Sequence, residues 1–243
     1  IIDRDSQGEI SQLNTTFLLS AKKAMAKKPT TQNLFLNGEA NFYIWVAYSL
    51  YDNLLDNPHP NSIDVSTANI FHLRAITTYQ EAGLSLSKIN SALNTVDRAN
   101  ADEVSNSRFE IVDEVITIAK IPAQKSLYKL LSSRSSAHCL GLLELLNKYS
   151  PAPLHHQKTK SILNTYCAAR QLSDDIHDWE EDITHGRNSY VIAHLLKAAD
   201  IKEGSYNLLD VIKTIRRVFW EKELEVLTNE CLSMCREAQD AYL

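Results

Sequence analysis

Little in this chain interrupts a helix. Its 243 residues include six glycines and six prolines, and no proline lies beyond Pro153. Without the residues that most often break helices, an all-α fold is expected, and the length suits one large domain spanning 1–243 with a buried core. A basic stripe is also missing. The formal charge is −5 and the lysines and arginines are dispersed, which excludes the electrostatic footprint of a nucleic-acid binder. The longest apolar run, Phe42 to Tyr51, falls short of the roughly 18 to 20 residues needed to span a bilayer, so no transmembrane segment is expected. Cysteine is scarce and scattered. Of Cys139, Cys167, Cys231 and Cys235 only the last two are close, at i,i+4 and without a neighbouring histidine. That spacing does not suit zinc, and with no secretory signal the expectation is free thiols in a reducing cytoplasm. Ile1-Ile2 opens the chain where an initiator methionine is expected, suggesting that the natural N-terminus lies upstream and leaving room for a targeting segment.

Apolar residues recur at helical spacing throughout. They predict helices near 6–27, 34–57, 62–82, 85–97, 101–119, 122–149, 154–184, 188–199 and 206–242. Pro58 and Pro60 end the second helix, Pro122 starts one, and Pro151-Ala152-Pro153 marks a break. Residues 42–51 are apolar or aromatic on every face, as expected of a helix surrounded by others.

Asp52 and Asp56 stand where that helix ends, one turn apart and on one face. A helix C-terminus already carries partial negative charge, so two carboxylates there call for a compensating cation. The alternative is a solvated stop signal formed by Asp56-Asn57-Pro58. A second acidic segment, Asp174 to Asp182, holds six acids in nine positions, and no Lys or Arg occurs between Gln171 and Gly186. At about 100° per residue, Asp174, Asp178, Asp182, Glu181 and Arg170 share a front, while Leu172, Ile176, Trp179 and Ile183 form the back. Ordinary exposed faces interleave cations with acids, because like charges at i,i+4 repel. A cation site is therefore favoured over a merely solvated face. Mg²⁺ fits best: it takes hard oxygen ligands, needs few carboxylates and completes its shell with water and phosphate. An EF-hand needs a glycine-bearing loop, and a di-iron bundle needs Glu-x-x-His pairs; neither is present. His177 reads as a helix-face histidine.

These two acidic sites together resemble those of the class I isoprenoid synthases, the superfamily of trans-prenyl diphosphate synthases, squalene and phytoene synthases and terpene cyclases. Asp52-Asn53-Leu54-Leu55-Asp56 is similar to the Asp-x-x-x-Asp of squalene and phytoene synthases. Asp174-Asp175-Ile176-His177-Asp178 resembles the Asp-Asp-x-x-Asp of chain-elongating synthases, while Gln171 through Asp182 followed by Gly186-Arg187 resembles the phytoene synthase stretch. Leu127-Tyr128-Lys129 through Arg134-Ser135-Ser136-Ala137-His138 is similar to a prenyl synthase helix that touches diphosphate. There are departures: Asn53 stands where elongating synthases have a second aspartate, no Arg-Arg pair follows Asp56, and no Gly-Lys plus Arg element is recognisable near the N-terminus.

The resemblance implies a helical bundle with a central apolar cavity and a Mg²⁺-dependent enzyme that ionises an allylic prenyl diphosphate. Its metal ligands would come from Asp52, Asp56, Asp174, Asp175, Asp178, Glu181 and Asp182. Lys129, Arg134, Ser135, Arg170, Arg187 and Tyr190 would bind diphosphate. Tyr48 and Tyr51 would line the pocket that shields the carbocation, since aromatic faces tolerate positive charge. A cytoplasmic enzyme is implied, with peripheral membrane contact and a homodimer both open to it. Three functions fit: a prenyltransferase forming a C–C bond, a terpene cyclase using the same ionisation, and a catalytically silent subunit of a heteromeric synthase.

Overall fold

The computed structural model describes residues 27–56, 61–121, 131–133, 139–149 and 153–242, with backbone alone for Asp56, Asn106, 153–157 and 241–242. They fall into two compact units, Ile1–Thr95 with Ser136–Lys160, and Val96–Ser135 with Ser161–Leu243.

In the first unit, α1 (Thr31–Asp56) packs along α2 (Ser62–Glu81). Thr30 caps α1, its Oγ1 accepting from Asn33 N at 3.2 Å, and Asn61 caps α2 by accepting from Ile63 N. Ala40 and Ala47 on α1 and Ala68 and Ala75 on α2 are wholly buried; side chains this small let two helix backbones approach closely. The start of α3 (Leu86–Asn106) adds buried Ile89 and Leu93. α4 (Leu140–Tyr149) meets α1 at Gly141, where an added Cβ would lie 3.1 Å from the Asn37 carbonyl and from the Asn37 and Asn41 Oδ1 atoms. The fully buried Asn41 accepts from the Tyr79 hydroxyl and from Gly141 N, so the polar group inside this packing is satisfied. Burial pushes the Tyr79 phenol above its ordinary ionisation range.

In the second unit, α5 (Pro153–Thr184) from Ser161 onward, α6 (Tyr190–Ala198), α7 (Leu208–Val218), a π-helical segment (Phe219–Glu223) and α8 (Leu224–Tyr242) share one apolar core with a small antiparallel sheet. The strands are β1 (Glu110–Val112), β2 (Val115–Ile118) and β3 (Gly204–Asn207), in the order β1-β2-β3. Ile111 pairs with Ile116, and Ile116 with Tyr206.

The fold is all-α in class, as expected, with three local corrections. α3 runs through the break expected at 97–101, because Val96 and Ala99 continue its buried stripe. The helix expected over 101–119 ends at Asn106 and gives way to the β1-β2 hairpin. Likewise the helix expected from 206 begins after β3, with Asn207 as its cap accepting from Asp210 N at 3.2 Å. The helix expected at 6–27 lies outside the described residues but for Lys27, as do Pro58, Pro60 and Pro122. Among the described residues no helix is long and apolar enough to cross a membrane.

Candidate functional site

Within the first unit, the last turns of α1 place Tyr48, Tyr51 and Asp52. Tyr48 is buried and its hydroxyl donates to the Leu93 carbonyl at 3.5 Å. Tyr51 is half-buried and donates to Asn69 Oδ1 at 2.7 Å. The two rings meet edge to face at 5.9 Å, and both stand against His72 of α2, at 6.1 and 6.2 Å. Asp52 is half-buried beside them; the Asp56 side chain lies outside the described residues. Asn53 donates to Asp64 Oδ2 at 3.3 Å, which ties the end of α1 to the first turn of α2.

In the second unit, α5 has the two faces its sequence predicts. Leu172, Trp179 and Ile183 are buried in the core, while Asp174, Asp178 and Glu181 are exposed. Asp175 and Asp182 are the buried acids, at 7% and 6% exposure, so Asp182 departs from the exposed front that its wheel position predicts. Asp175 accepts from Gln171 Nε2 at 3.0 Å. Two arginines serve other acids, one from the residues just after α5 and one remote in sequence. Glu180 takes both ends of Arg216, at 2.8 and 2.7 Å. Arg187 lies 3.3 Å from Asp182 and 3.5 Å from Glu181. His177 is exposed, its Nδ1 3.1 Å from the Ser173 carbonyl one turn back.

The chain leaves α5 through Gly186, whose φ is +72° and where a Cβ would lie 2.5 Å from the Phe109 carbonyl oxygen. Glycine alone suits that position. Phe109 N donates to the Gly186 carbonyl at 2.6 Å and Asn188 N to the Ser107 carbonyl at 2.7 Å, which straps residues 186–188 to 107–109. Arg187 and Arg108 therefore face each other across a β-bridge, and Arg108 is drawn to Glu103 at 3.5 Å.

Of the other basic and polar candidates, Arg170 is half-buried on α5. Tyr190 is buried and donates its hydroxyl to Glu230 Oε1 at 2.6 Å. Lys129, Arg134 and Ser135 lie outside the described residues. Sequence reasoning missed His72, Arg108, Arg216 and Glu230. Each acts through a contact more than one helical turn away along the chain, or, for Arg108, through a strand pairing, so periodicity carried no signal of it.

Among the described residues no group of three or more His, Cys, Asp and Glu side chains is placed to hold a metal ion unaided. The donor set nevertheless fits Mg²⁺, which commonly takes one or two carboxylates and fills its shell with water and substrate phosphate: Asp174 and Asp178 offer two exposed carboxylates one turn apart.

No family model matches the chain, and no curated protein matches it. Among solved structures it is similar to the heptaprenyl diphosphate synthase of Staphylococcus aureus, with a TM-score of 0.74 and 12% identity over 93% of this chain and 80% of that one. The chain thus shares the fold of that prenyl diphosphate synthase.

Proposed function

We propose that this chain is a Mg²⁺-dependent prenyltransferase that ionises an allylic prenyl diphosphate and forms a C–C bond. The supporting observation is the acidic front of α5, with Asp174 and Asp178 exposed, in a fold shared with a prenyl diphosphate synthase. In this reading residues 1–243 act as one domain, and both acidic motifs, Asp52 with Asp56 and Asp174 with Asp178 and Asp182, serve the reaction.

Mg²⁺, when bound, would neutralise the carboxylates and the diphosphate together and stabilise the charge that grows on the leaving group. Asp52, Asp56, Asp174 and Asp178 are the proposed ligands, with Asp175, Glu181 and Asp182 supporting them. Arg170 and Arg187, with Lys129, Arg134 and Ser135, meet diphosphate oxygens. Tyr190, whose hydroxyl is held by Glu230, positions the segment after Arg187. Tyr48 and Tyr51 present ring faces to the allylic cation and help to keep water out.

A homodimer belongs to the same reading. Ile63, Ile70 and Leu73 of α2 are 62%, 54% and 65% exposed, and their 7- and 3-residue spacing makes an apolar stripe suited to a second helix. Peripheral membrane contact would serve the collection of a greasy substrate.

Incubation with Mg²⁺ and farnesyl or geranylgeranyl diphosphate, with and without isopentenyl diphosphate, tests the function. A C–C coupled product built from two substrates supports it. Cyclised product from one substrate alone assigns a terpene cyclase instead, and no diphosphate release from any prenyl substrate assigns a silent subunit.

A further inference from the structure

We propose that a pocket in the first unit binds a small polyhydroxylated anion, a sugar acid or a sugar phosphate, at a site separate from the diphosphate chemistry above. The cavity holds about 350 Å³ where α1 and α3 begin and α2 and α4 end, at the lower end of the roughly 300–1,000 Å³ of small-molecule sites. Asn33 and Asn37 line it from the first turns of α1. Asp52 stands near the other end of that helix, a rise of roughly 22 Å from Asn37. The pocket is therefore distinct from the acidic motif and does not rest on the magnesium reading.

The inner wall calls for hydrogen-bond donors. Asn37 is 1% exposed; its Nδ2 donates to the Asn33 carbonyl at 2.8 Å, while its Oδ1 has no hydrogen-bond partner. A buried acceptor left unpaired is costly, and a ligand hydroxyl would supply the missing donor. Asn33 gives its own amide to the Tyr149 hydroxyl at 2.7 Å and so keeps its side-chain oxygen as an acceptor. Leu145, also in the lining, is buried and suits the carbon face of a polyol.

The mouth calls for an anion. Lys88 and Lys148 are exposed there. Lys88 is closed onto Glu144 at 2.5 Å. Lys148 instead stands 5.5 Å from the centre of the Tyr149 ring, and Gly83 puts no side chain in front of it, since an added Cβ there would lie 3.8 Å from Lys148 Nζ. A ring face is a weaker partner for an ammonium than a carboxylate or a phosphate. Two ammonium groups against one carboxylate leave the lining net positive. An amino acid would offer donors too, but its ammonium would enter a pocket whose one carboxylate is already paired, and an uncompensated charge is costly to bury. Hydroxyls supply the same donors without charge.

The test is calorimetry on the full chain with D-gluconate and glucose 6-phosphate, against glucose, inorganic phosphate and L-glutamate. Binding of either polyol anion at least about tenfold tighter than the other three supports the site, and which of the two binds tells carboxylate from phosphate. Lys148→Gln is expected to weaken that binding about tenfold, and Asn37→Ala several-fold. Unchanged affinity in a Lys148→Gln protein that melts like the wild type overturns the proposal. So does phosphate or L-glutamate binding as tightly as the polyol anions, or no probe binding below about 10 mM. Should Asn37→Ala not fold, Lys148→Gln, a change at an exposed residue, decides alone.

Discussion

Asn53, on the last turn of α1, gives its side-chain amide to Asp64 on the first turn of α2 across 3.3 Å. The residue that departs from the aspartate of elongating synthases is thus also the one that joins two helices beside the first acidic motif. A carboxylate at 53 would face a carboxylate. Asn53→Asp is expected to lower stability by roughly 0.5 kcal/mol, because the pair is exposed and screened. Urea melts at low and at 1 M salt check this, with the deficit shrinking at high salt and also on adding Asp64→Asn.

Gly186 holds the strap behind Arg187. With φ at +72° and a backbone oxygen 2.5 Å from any added Cβ, Gly186→Ala is expected to cost at least about 1–2 kcal/mol. Denaturant titration measures the loss. An Ala variant as stable as the wild type would mean that the strap is not built as described.

His194 and Glu223 lie 2.6 Å apart, with Glu223 almost wholly buried on the π-helical segment. The hydrogen bond from His194 holds the Glu223 carboxyl below its ordinary value, against the opposing effect of burial. A lowered folded-state value adds stability that is complete above the unfolded carboxylate's range and is lost as pH falls through the folded one. Glu223→Gln is therefore expected to flatten the acid limb of stability. His194→Gln is expected to cost about 1–3 kcal/mol at neutral pH by leaving a buried carboxylate poorly served. Circular-dichroism melts between neutral pH and pH 3 read both.

Much of this fold was legible because the helices obey one rule, burial at 3.6-residue spacing. α1, α2, α5 and α6 begin and end within a few residues of expectation, and α5 buries its apolar back and exposes Asp174, Asp178 and Glu181 as the wheel predicts, though Asp182 is buried. The β1-β2 hairpin was not legible. Its turn, Asp113-Glu114, takes φ of 49° and 65°, a left-handed conformation that usually advertises itself through Asn-Gly or Asp-Gly. Without a glycine, Ile111, Val115 and Ile118 also satisfy a helical spacing. The Arg216 partner of Glu180 was hidden for another reason. A segment free of Lys and Arg suggests a site needing metal, yet Arg216 reaches Glu180 from 36 residues away through tertiary packing.

The apolar stripe of α2 tests the homodimer. Ile70→Glu with Leu73→Glu places charges where two exposed side chains now stand and is expected to convert a dimer to a monomer with little change in monomer folding. Sedimentation velocity distinguishes the two. A wild type already monomeric at tens of micromolar removes the dimer.

The central claim is that the chain releases diphosphate in a Mg²⁺-dependent reaction that needs the acids of both α1 and α5. It is tested most directly by Mg²⁺-dependent diphosphate release from geranylgeranyl diphosphate in the wild type, Asp52→Asn, Asp174→Asn and their double variant. The account predicts release by the wild type, a loss of about a hundredfold or more in each single variant, and little further loss in the double, since groups acting as a unit are not additive. Full activity in either single variant, or independent multiplicative losses, would contradict it.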